Sequence, residues 1–206
     1  MDKKIIIFAT KNKGKLKEIQ AVLSDVFEVI SMEEAGIDIH IEENGTTFEE
    51  NALKKANEIM KISGEIVLAD DSGLEIDYLD KAPGVYSARY MGEDTPYSIK
   101  NNKILELLKN VPDEKRTARF VCVIAAALPM PYNKTLTARG TIEGIIGYEI
   151  QGEHGFGYDP IFYLPERKCT TAQLSLTDKN EISHRGKALG IMKNKLIEIF
   201  DTDFSI

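Results

Sequence analysis

Two adjacent carboxylates, Asp70 and Asp71, follow the short apolar run IVLA at residues 66–69. A single Asp at the end of a strand is ordinary, because Asp and Gly are favoured in turns. Two side by side repel each other and are costly to bury unless a cation or a proton neutralises them. The pair is therefore typical of a turn or of a metal site, and both interpretations stay open on this segment alone.

A lysine-rich segment, ATKNKGKLKEI, lies at residues 9–19, between an expected strand and an expected helix. Lysines at positions 11, 13, 15 and 17 surround Gly14. The free N–H groups at a helix start attract anions, and nearby lysines strengthen that attraction. The segment is not a Walker A motif, whose first glycine would fall on Ala9. A phosphate-binding loop and a solvated lysine-rich turn explain it about equally well.

An acidic turn precedes the best-defined helix of the chain, in IEENGTTFEENALKKANEI. Thr47 and Glu50 have the spacing of a capping box, and apolar residues keep helical spacing up to position 62. A capped helix with an exposed lysine face explains this segment by itself. If the turn meets the two aspartates, however, Glu42 and Glu43 would add oxygen ligands suited to Mg²⁺.

Two further segments carry groups that could contact a nucleotide. In GEHGFGYDP, Phe156 lies between two glycines, which suits an aromatic platform for a base, although a hairpin loop gives the same pattern. In TDKNEISHRGKALG, Lys179, His184 and Arg185 could donate to one ligand, although an ordinary helix cap is the simpler interpretation. The three histidines of the chain do not have zinc-ligand spacing.

These segments need strands and helices to position them, and the two kinds of pattern alternate along the chain. Strands are expected at residues 4–9, 66–69, 118–128, 136–146 (one or two strands interrupted by glycines) and 161–163. Helices are expected at residues 14–23, 47–62 and 95–108 and from about residue 183. The pattern predicts an α/β fold with a mixed sheet. With no repeat or linker, residues 1–206 are expected to form a single domain.

Composition excludes several classes of protein. The 206 residues are 43% hydrophobic and 29% charged, which is typical of a globular protein. A net charge of −7 argues against nucleic-acid binding. The apolar stretch near the N-terminus is too short for a signal peptide or a membrane span. Two cysteines do not suggest a disulfide framework. A cytoplasmic protein without a membrane partner is expected.

Taken together, the segments resemble the inosine/xanthosine triphosphate pyrophosphatases, also called the Ham1 family. The matching pieces, in the family order, are ATKNKGKLKEI, EENGTTFEENALKKA, ADDSGL, APGVYSARY, GFGYDPIF and SHRGKAL. They cover almost the whole chain. One departure is Lys11, since the family often has Gly between the Thr and the Asn at this place.

The resemblance implies an elongated mixed β-sheet with flanking helices, two lobes around a nucleotide-binding cleft, and a homodimer. It implies an Mg²⁺-dependent hydrolase that converts ITP, dITP and XTP to the monophosphate and pyrophosphate. Such an enzyme would remove deaminated purine nucleotides before polymerases use them.

The resemblance also assigns roles to residues. Asp71 is similar to the family's proton acceptor, and Asp70 and Asp71 with Glu42 or Glu43 would hold Mg²⁺. Glu43 is favoured because it abuts the Asn44-Gly45 turn. The expected substrate contacts are Thr10, Lys11, Asn12, Lys13, Gly14, Lys15 and Lys55 at the triphosphate, Ser72, Phe156, Gly157, Tyr158 and Asp159 at the sugar and base, and Lys179, His184 and Arg185 at the base edge.

Two rival interpretations stay open. One is a nucleotide-binding module without catalysis. The other is a pyrophosphatase of the Maf type that acts on pyrimidine or modified nucleotides, and the SHRGKAL segment argues against it.

Overall fold

The computed structural model describes residues 3–202, except the side chain of Thr202. The strands are β1 (Ile5–Phe8), β2 (Glu28–Ser31), β3 (Val67–Ile76), β4 (Thr117–Leu128), β5 (Lys134–Ile146), β6 (Phe162–Leu164) and β7 (Cys169–Thr170). The α-helices are α1 (Lys13–Leu23), α2 (Phe48–Ser63), α3 (Tyr97–Leu107), α4 (Leu176–Ile182) and α5 (His184–Thr202). None of these helices is long and apolar enough to cross a membrane.

The strands form one sheet in the order β2-β1-β3-β4-β5-β6-β7. β1 pairs in parallel with β2 and with β3. β6 pairs antiparallel with β5 and with β7. The sheet therefore contains both kinds of pairing, which confirms the predicted α/β class with a mixed sheet.

The chain divides into two compact units, whose boundaries fall inside β3, β4 and β5 and at the start of α5. Of the described residues, the first unit holds those up to Asp71, Cys122–Gly140 and those from Arg185 onward. The second holds Ser72–Val121 and Thr141–His184. The elongated shape, the cleft and the single domain stay predictions.

Each unit has its own apolar core. In the first, residues of α1 and α5 such as Ile19 and Leu189 pack with Phe8 of β1 and Ile124 of β4. In the second, Ile104 of α3 packs with residues of β3, β5 and β6 such as Leu74 and Phe162. The segment of β4 from Val121 to Leu128 is fully buried, as its unbroken apolar run predicts.

The C-terminal end predicted for the strand at residues 66–69 is wrong, and the difference matters for the site. β3 continues through Asp70 and Asp71 to Ile76, so the two aspartates lie inside a strand and no turn follows them. The expectation of a turn rested on the turn preference of Asp, Ser and Gly. The extended part of the strand buries one apolar face in the core of the second unit, where Leu74 and Ile76 are fully enclosed.

The glycine interruption predicted within residues 136–146 is also wrong. β5 is one continuous strand, and Gly144 is needed there for a close approach. A Cβ on Gly144 would come within 2.7 Å of the Tyr163 carbonyl oxygen and 2.8 Å of the Phe162 ring on the paired strand. Sequence patterns also missed the short strands β2 and β7 and the helix α4.

The helix α2 positions most of the candidate site and is capped nearly as predicted. The Thr47 side chain accepts a hydrogen bond from Glu50 N at 3.1 Å. The Glu50 carboxylate accepts from Thr46 N at 2.7 Å, so the reciprocal bond of the expected capping box is displaced by one residue. Gly64 ends the helix at a positive φ of 70°, a conformation that favours glycine.

Candidate active site

Asp70 lies in the first unit, among cations from three helices. Lys15 of α1 places its Nζ 2.9 Å from Asp70 Oδ2, and Arg185 of α5 places Nη2 3.2 Å from the same oxygen. Lys55 of α2 donates to the Asp70 backbone carbonyl. Burial disfavours the Asp70 anion, but the charges of Lys15, Arg185 and Lys55 hold its pKa well below the ordinary value. Asp70 is therefore a fixed anion.

Arg185 completes this cluster through a second carboxylate. Its Nη1 donates to Glu18 of α1, and the side chains of Arg185, Glu18 and Asp70 are all at most 4% exposed. Burial disfavours the guanidinium charge, but Asp70 and Glu18 raise the Arg185 pKa above its ordinary value. This placement joins Arg185 to Asp70, whereas the resemblance assigned it to the edge of the base.

Asp71 has a different environment from its neighbour. Successive side chains of a strand point to opposite faces, so the two carboxylates of β3 are separated. Asp71 accepts a hydrogen bond from Asn51 Nδ2 of α2 at 2.9 Å. Burial raises the Asp71 pKa to about 6; the Lys55 charge opposes this rise, and the Glu43 charge adds to it. Asp71 can therefore take up a proton near neutral pH, which is what a general base requires.

Lysines of α2 hold the acidic turn in place and distinguish its two glutamates. Lys55 Nζ lies 2.7 Å from Glu43 Oε1. Lys54 Nζ donates to the Glu42 carbonyl oxygen at 2.8 Å and to Asn44 Oδ1 at 3.1 Å. The Glu42 side chain is exposed, whereas the charge of Glu43 is felt by Asp71. This geometry favours Glu43 over Glu42 as the carboxylate that works with Asp71.

The lysine-rich segment starts α1 and borders a cavity of about 170 Å³. Asn12 caps the helix by accepting hydrogen bonds from Gly14 N at 2.8 Å and Lys15 N at 3.1 Å. Asn12 N in turn donates to Thr10 Oγ1 at 3.1 Å. The lining of the cavity includes Thr10, Lys11, Lys15, His40, Glu43, Lys55 and Asp70. Three ammonium groups around one small cavity can bind the phosphates of a nucleotide.

Two lysines of that segment, Lys11 and Lys13, differ from Lys15 in their surroundings. Lys11 forms an exposed ion pair with Asp38 at 2.9 Å. Lys13 is exposed and borders a separate, larger cavity of about 790 Å³ in the same unit. Thr10, Lys11 and Lys15 therefore border the small cavity together with Lys55, and Lys13 does not line it.

In the second unit, Asp159 organises the glycine-rich loop. Its carboxylate accepts hydrogen bonds from Phe156 N at 2.9 Å, Thr171 Oγ1 at 2.8 Å and Lys179 Nζ at 2.6 Å. Gly155 has a φ of 74°, and a Cβ there would collide with this carboxylate. Lys179 Nζ also lies 4.9 Å from the centroid of the Phe156 ring, within cation–π range. Phe156 is thus held by a buried ion pair behind its loop.

The other predicted base contacts in this unit are largely buried. Tyr158 donates its hydroxyl to the Ser87 carbonyl oxygen at 2.9 Å, and Asn101 Nδ2 donates to the Gly157 carbonyl at 3.1 Å. His184 begins α5 and stacks on Phe120 with ring centroids 4.9 Å apart. Ser72 is half-buried in β3, directly after Asp71.

The four carboxylates predicted to bind metal do not form a ready-made cage. Within residues 3–202, no group of three or more His, Cys, Asp or Glu side chains is arranged to hold a metal ion. Asp70 is engaged by Lys15 and Arg185, and Glu42 is exposed. Glu43 and Asp71 remain, and two carboxylates suit Mg²⁺, which is usually held by one or two carboxylates together with substrate phosphates. The donor set therefore fits a metal that arrives with a nucleotide.

Sequence patterns missed two members of the site, Asn51 and Glu18. Both lie in helices, neither belongs to a helix's apolar pattern, and both are buried. Asn51 carried a usable signal, because Asn is unfavourable within a helix unless its side chain has another partner.

Comparisons with known proteins agree with the fold and with the family that the sequence resembles. The family model described as "Ham1 family" matches residues 6–195. The chain is 50% identical over 200 residues to the dITP/XTP pyrophosphatase of Clostridium perfringens, covering 94% of this chain and 97% of that protein. It superposes on the Staphylococcus aureus Ham1 protein with a TM-score of 0.83 at 42% identity, covering 94% of this chain and 98% of that one. For a HAM1 protein from Coxiella burnetii the TM-score is 0.85 at 43% identity, with 95% and 99% covered.

Proposed function

Because this chain belongs to the Ham1 family, we propose that it hydrolyses dITP, ITP and XTP to the monophosphate and pyrophosphate. Relatives about half identical over nearly their whole length are named dITP/XTP pyrophosphatases. One observation in the chain itself carries the proposal: the pKa values of the two adjacent carboxylates of β3 are shifted in opposite directions. The pKa of Asp70 is held low by cations, whereas burial raises the pKa of Asp71 to about 6. In the cell, the reaction would remove deaminated purine nucleotides from the precursor pool.

Asp71 is the proposed proton acceptor for the attacking water. A carboxylate with a pKa of about 6 is a stronger base than an ordinary Asp and is still ionised at neutral pH. Asp70 is a poor candidate for this step, because Lys15 and Arg185 already bind its oxygens. Its proposed role is to hold Lys15 beside the cavity and to anchor Arg185 behind it in the buried cluster.

Membership of the family indicates a requirement for a divalent metal ion, and we propose Mg²⁺ held by Glu43 and Asp71. When bound, Mg²⁺ neutralises charge on the phosphate oxygens. The chain contributes Lys15 and Lys55, whose ammonium groups border the cavity and lie in ion pairs with Asp70 and Glu43. A triphosphate offers these lysines stronger acceptors than the carboxylates, so both are proposed to contact it, with the Thr10–Gly14 segment beside them.

The base is proposed to stack on Phe156, with Lys179 and His184 near its edge. Hypoxanthine and xanthine present an acceptor oxygen at position 6, where adenine presents a donor amine. Buried donors left unpaired against adenine would reject it by roughly 10⁴-fold. For Arg185, the ion pairs with Asp70 and Glu18 support a role in holding the catalytic strand.

Two properties of the molecule as a whole belong to the same proposal. A homodimer follows from the resemblance and is tested by light scattering of the purified protein. The cytoplasm is the proposed compartment, and it is consistent with Cys122 and Cys169, which are both free thiols.

The experiment is a pyrophosphate-release assay with dITP, ITP, XTP, GTP and ATP in the presence of Mg²⁺. We expect release from the first three to exceed release from GTP and ATP, and the Asp71→Asn variant to bind dITP without releasing pyrophosphate. Binding of dITP by the unmodified protein without release would identify a non-catalytic module and refute the proposal. Equal activity of Asp71→Asn would remove that residue as the base.

A further inference from the structure

Asn51 is a fully buried polar residue in the first half of α2, and nothing in the proposed reaction uses it. Asn is disfavoured within helices because its amide competes for backbone hydrogen bonds. Here both hydrogen bonds of the side-chain amide go to residues outside α2. Its Nδ2 donates to Asp71 Oδ2 at 2.9 Å, and its Oδ1 accepts from Gly45 N at 2.8 Å. One side chain thus links the strand that carries Asp71 to the turn that carries Glu43.

Gly45 shows how closely this link is fitted. A Cβ at position 45 would lie 2.7 Å from Asn51 Oδ1 and 2.8 Å from the Glu50 Cβ, closer than packed atoms approach. Gly45 does not have a positive φ, so a glycine is required here by the close approach of the Asn51 amide and of the Glu50 Cβ.

The link also fixes Glu43, which lies two residues before Gly45. Lys55 binds the Glu43 carboxylate from one helical turn further along α2. The turn is therefore attached to α2 by the amide of Asn51, by the ammonium groups of Lys54 and Lys55, and by the carboxylate of Glu50. Among these side chains Asn51 is the neutral one and the one that also bonds Asp71, so it can hold two carboxylate-bearing segments together without altering their total charge.

We propose that Asn51 is a positioning residue that sets the spacing between Asp71 and Glu43, so that both carboxylates can hold one divalent ion. This inference rests on the proposed function, which makes those two residues the metal-binding pair. Residues that orient ligands from behind typically change metal affinity or activity about 10- to 100-fold when removed.

The first test compares Asn51→Leu with Asn57→Leu. Leu has nearly the shape of Asn and removes both hydrogen bonds. Asn57 is a matched control on the same helix, because its amide donates only to the Leu53 carbonyl oxygen of that helix. Two readouts are needed: Mn²⁺ affinity measured by electron paramagnetic resonance without nucleotide, and kcat and KM for dITP.

For Asn51→Leu we expect Mn²⁺ affinity and kcat each to fall about 10- to 100-fold, with KM for dITP little changed at saturating metal. Asn57→Leu should match the unmodified protein in every readout. If Asn51→Leu retains both Mn²⁺ affinity and kcat, or if the two variants lose them equally, the inference is wrong. An unmodified protein that binds Mn²⁺ but releases no pyrophosphate would refute the proposed function, and the Mn²⁺ comparison would still decide the role of Asn51.

A second test does not depend on how well Asn51→Leu folds. Gly45→Ala leaves the amide in place but pushes a methyl group against it, so we expect a loss of Mn²⁺ affinity. Combining Gly45→Ala with Asn51→Ala removes the nearer of the two contacts, so the combined loss should be smaller than the product of the separate losses. Gly190→Ala, where a Cβ meets nothing within 4 Å, is the control. Losses that multiply independently would overturn the inference.

Discussion

Replacing the proposed base, Asp71→Asn, should make the protein more stable. The pKa of Asp71 is raised to about 6 in the folded protein, chiefly by burial, from an ordinary value of 3.8. A carboxyl whose folded pKa is raised stabilises the fold below its unfolded pKa, and this contribution is lost as pH rises through the folded pKa. Above about pH 6, the folded protein therefore carries an unfavourable charge that Asn lacks.

The size of the effect follows from the difference between the two pKa values. That difference corresponds to about 3 kcal/mol of unfolding free energy at pH values well above 6. Near pH 4.5 the carboxyl of Asp71 is almost fully protonated in the folded state and mostly ionised in the unfolded state, and the same two values leave a difference of about 1 kcal/mol. Asn is nearly isosteric with Asp, and its side-chain oxygen can still accept the hydrogen bond from Asn51, so packing should change little.

The measurement is urea unfolding at about pH 4.5 and pH 8, in buffer with EDTA and without nucleotide. The gain in unfolding free energy of Asp71→Asn should grow with pH between these limits. A gain that does not depend on pH, or no gain at pH 8, would refute the view that Asp71 is an uncompensated buried carboxylate.

The neighbouring residue supplies a matched comparison of opposite sign. Asp70→Asn removes the anion that Lys15 and Arg185 share, and it should destabilise the protein by about 3–5 kcal/mol at pH 8, because Lys15 loses its ion pair and the buried Arg185 loses one of its two carboxylates. The stabilising effect of Asp70 is present above its unfolded pKa and is lost as pH falls, since its folded pKa is lowered. Equal effects of the two substitutions would contradict the assigned environments.

Three further substitutions test local features, each by urea unfolding. Lys179→Met should lower the unfolding free energy by about 3–5 kcal/mol, because it leaves the buried carboxylate of Asp159 without its cation; a neutral effect would mean that water reaches this pair. Thr47→Ala should cost about 1 kcal/mol, because the hydrogen bond to Glu50 N at the start of α2 is lost; no change would show that another group caps the helix. Gly155→Ala should cost at least about 1 kcal/mol from its positive φ, and an unchanged stability would contradict that conformation.

Elements with an unbroken or periodic apolar pattern could be predicted from the sequence. β4 is buried from Val121 to Leu128, and one apolar face of α2 includes Ala52, Ala56 and Ile59. Burial of such residues is the main driving force of folding, so the pattern reports directly on the structure. The short strand β2 and the helix α4 lack this pattern, and they form because neighbouring elements supply their partners.

The environments of the two aspartates could not be predicted from their own segment. The Asp70 anion is stabilised by residues 55 positions before it and 115 positions after it in the chain. The local sequence Asp-Asp-Ser-Gly favours a turn, yet the segment is a strand. The cations that stabilise the Asp70 anion come from distant parts of the sequence. Family motifs indicated which segments meet, but the bond from Asn51 to Asp71 required the geometry of α2 against β3.

The two aspartates show how one strand can combine a stable structure with a reactive group. Alternation along β3 gives each carboxylate its own surroundings. Ion pairs with Lys15 and Arg185 satisfy Asp70 in the fold itself, so it contributes to stability whether or not a ligand is present. For Asp71 the surroundings supply a neutral amide, the attractive charge of Lys55 and the repulsive charge of Glu43, and burial outweighs the attraction, so its charge stays partly uncompensated. A carboxylate that was fully paired within the protein would be a weaker base and a poorer metal ligand. The uncompensated charge of Asp71 lowers the unfolding free energy by about 3 kcal/mol. The same charge makes Asp71 suitable as a base and as a metal ligand.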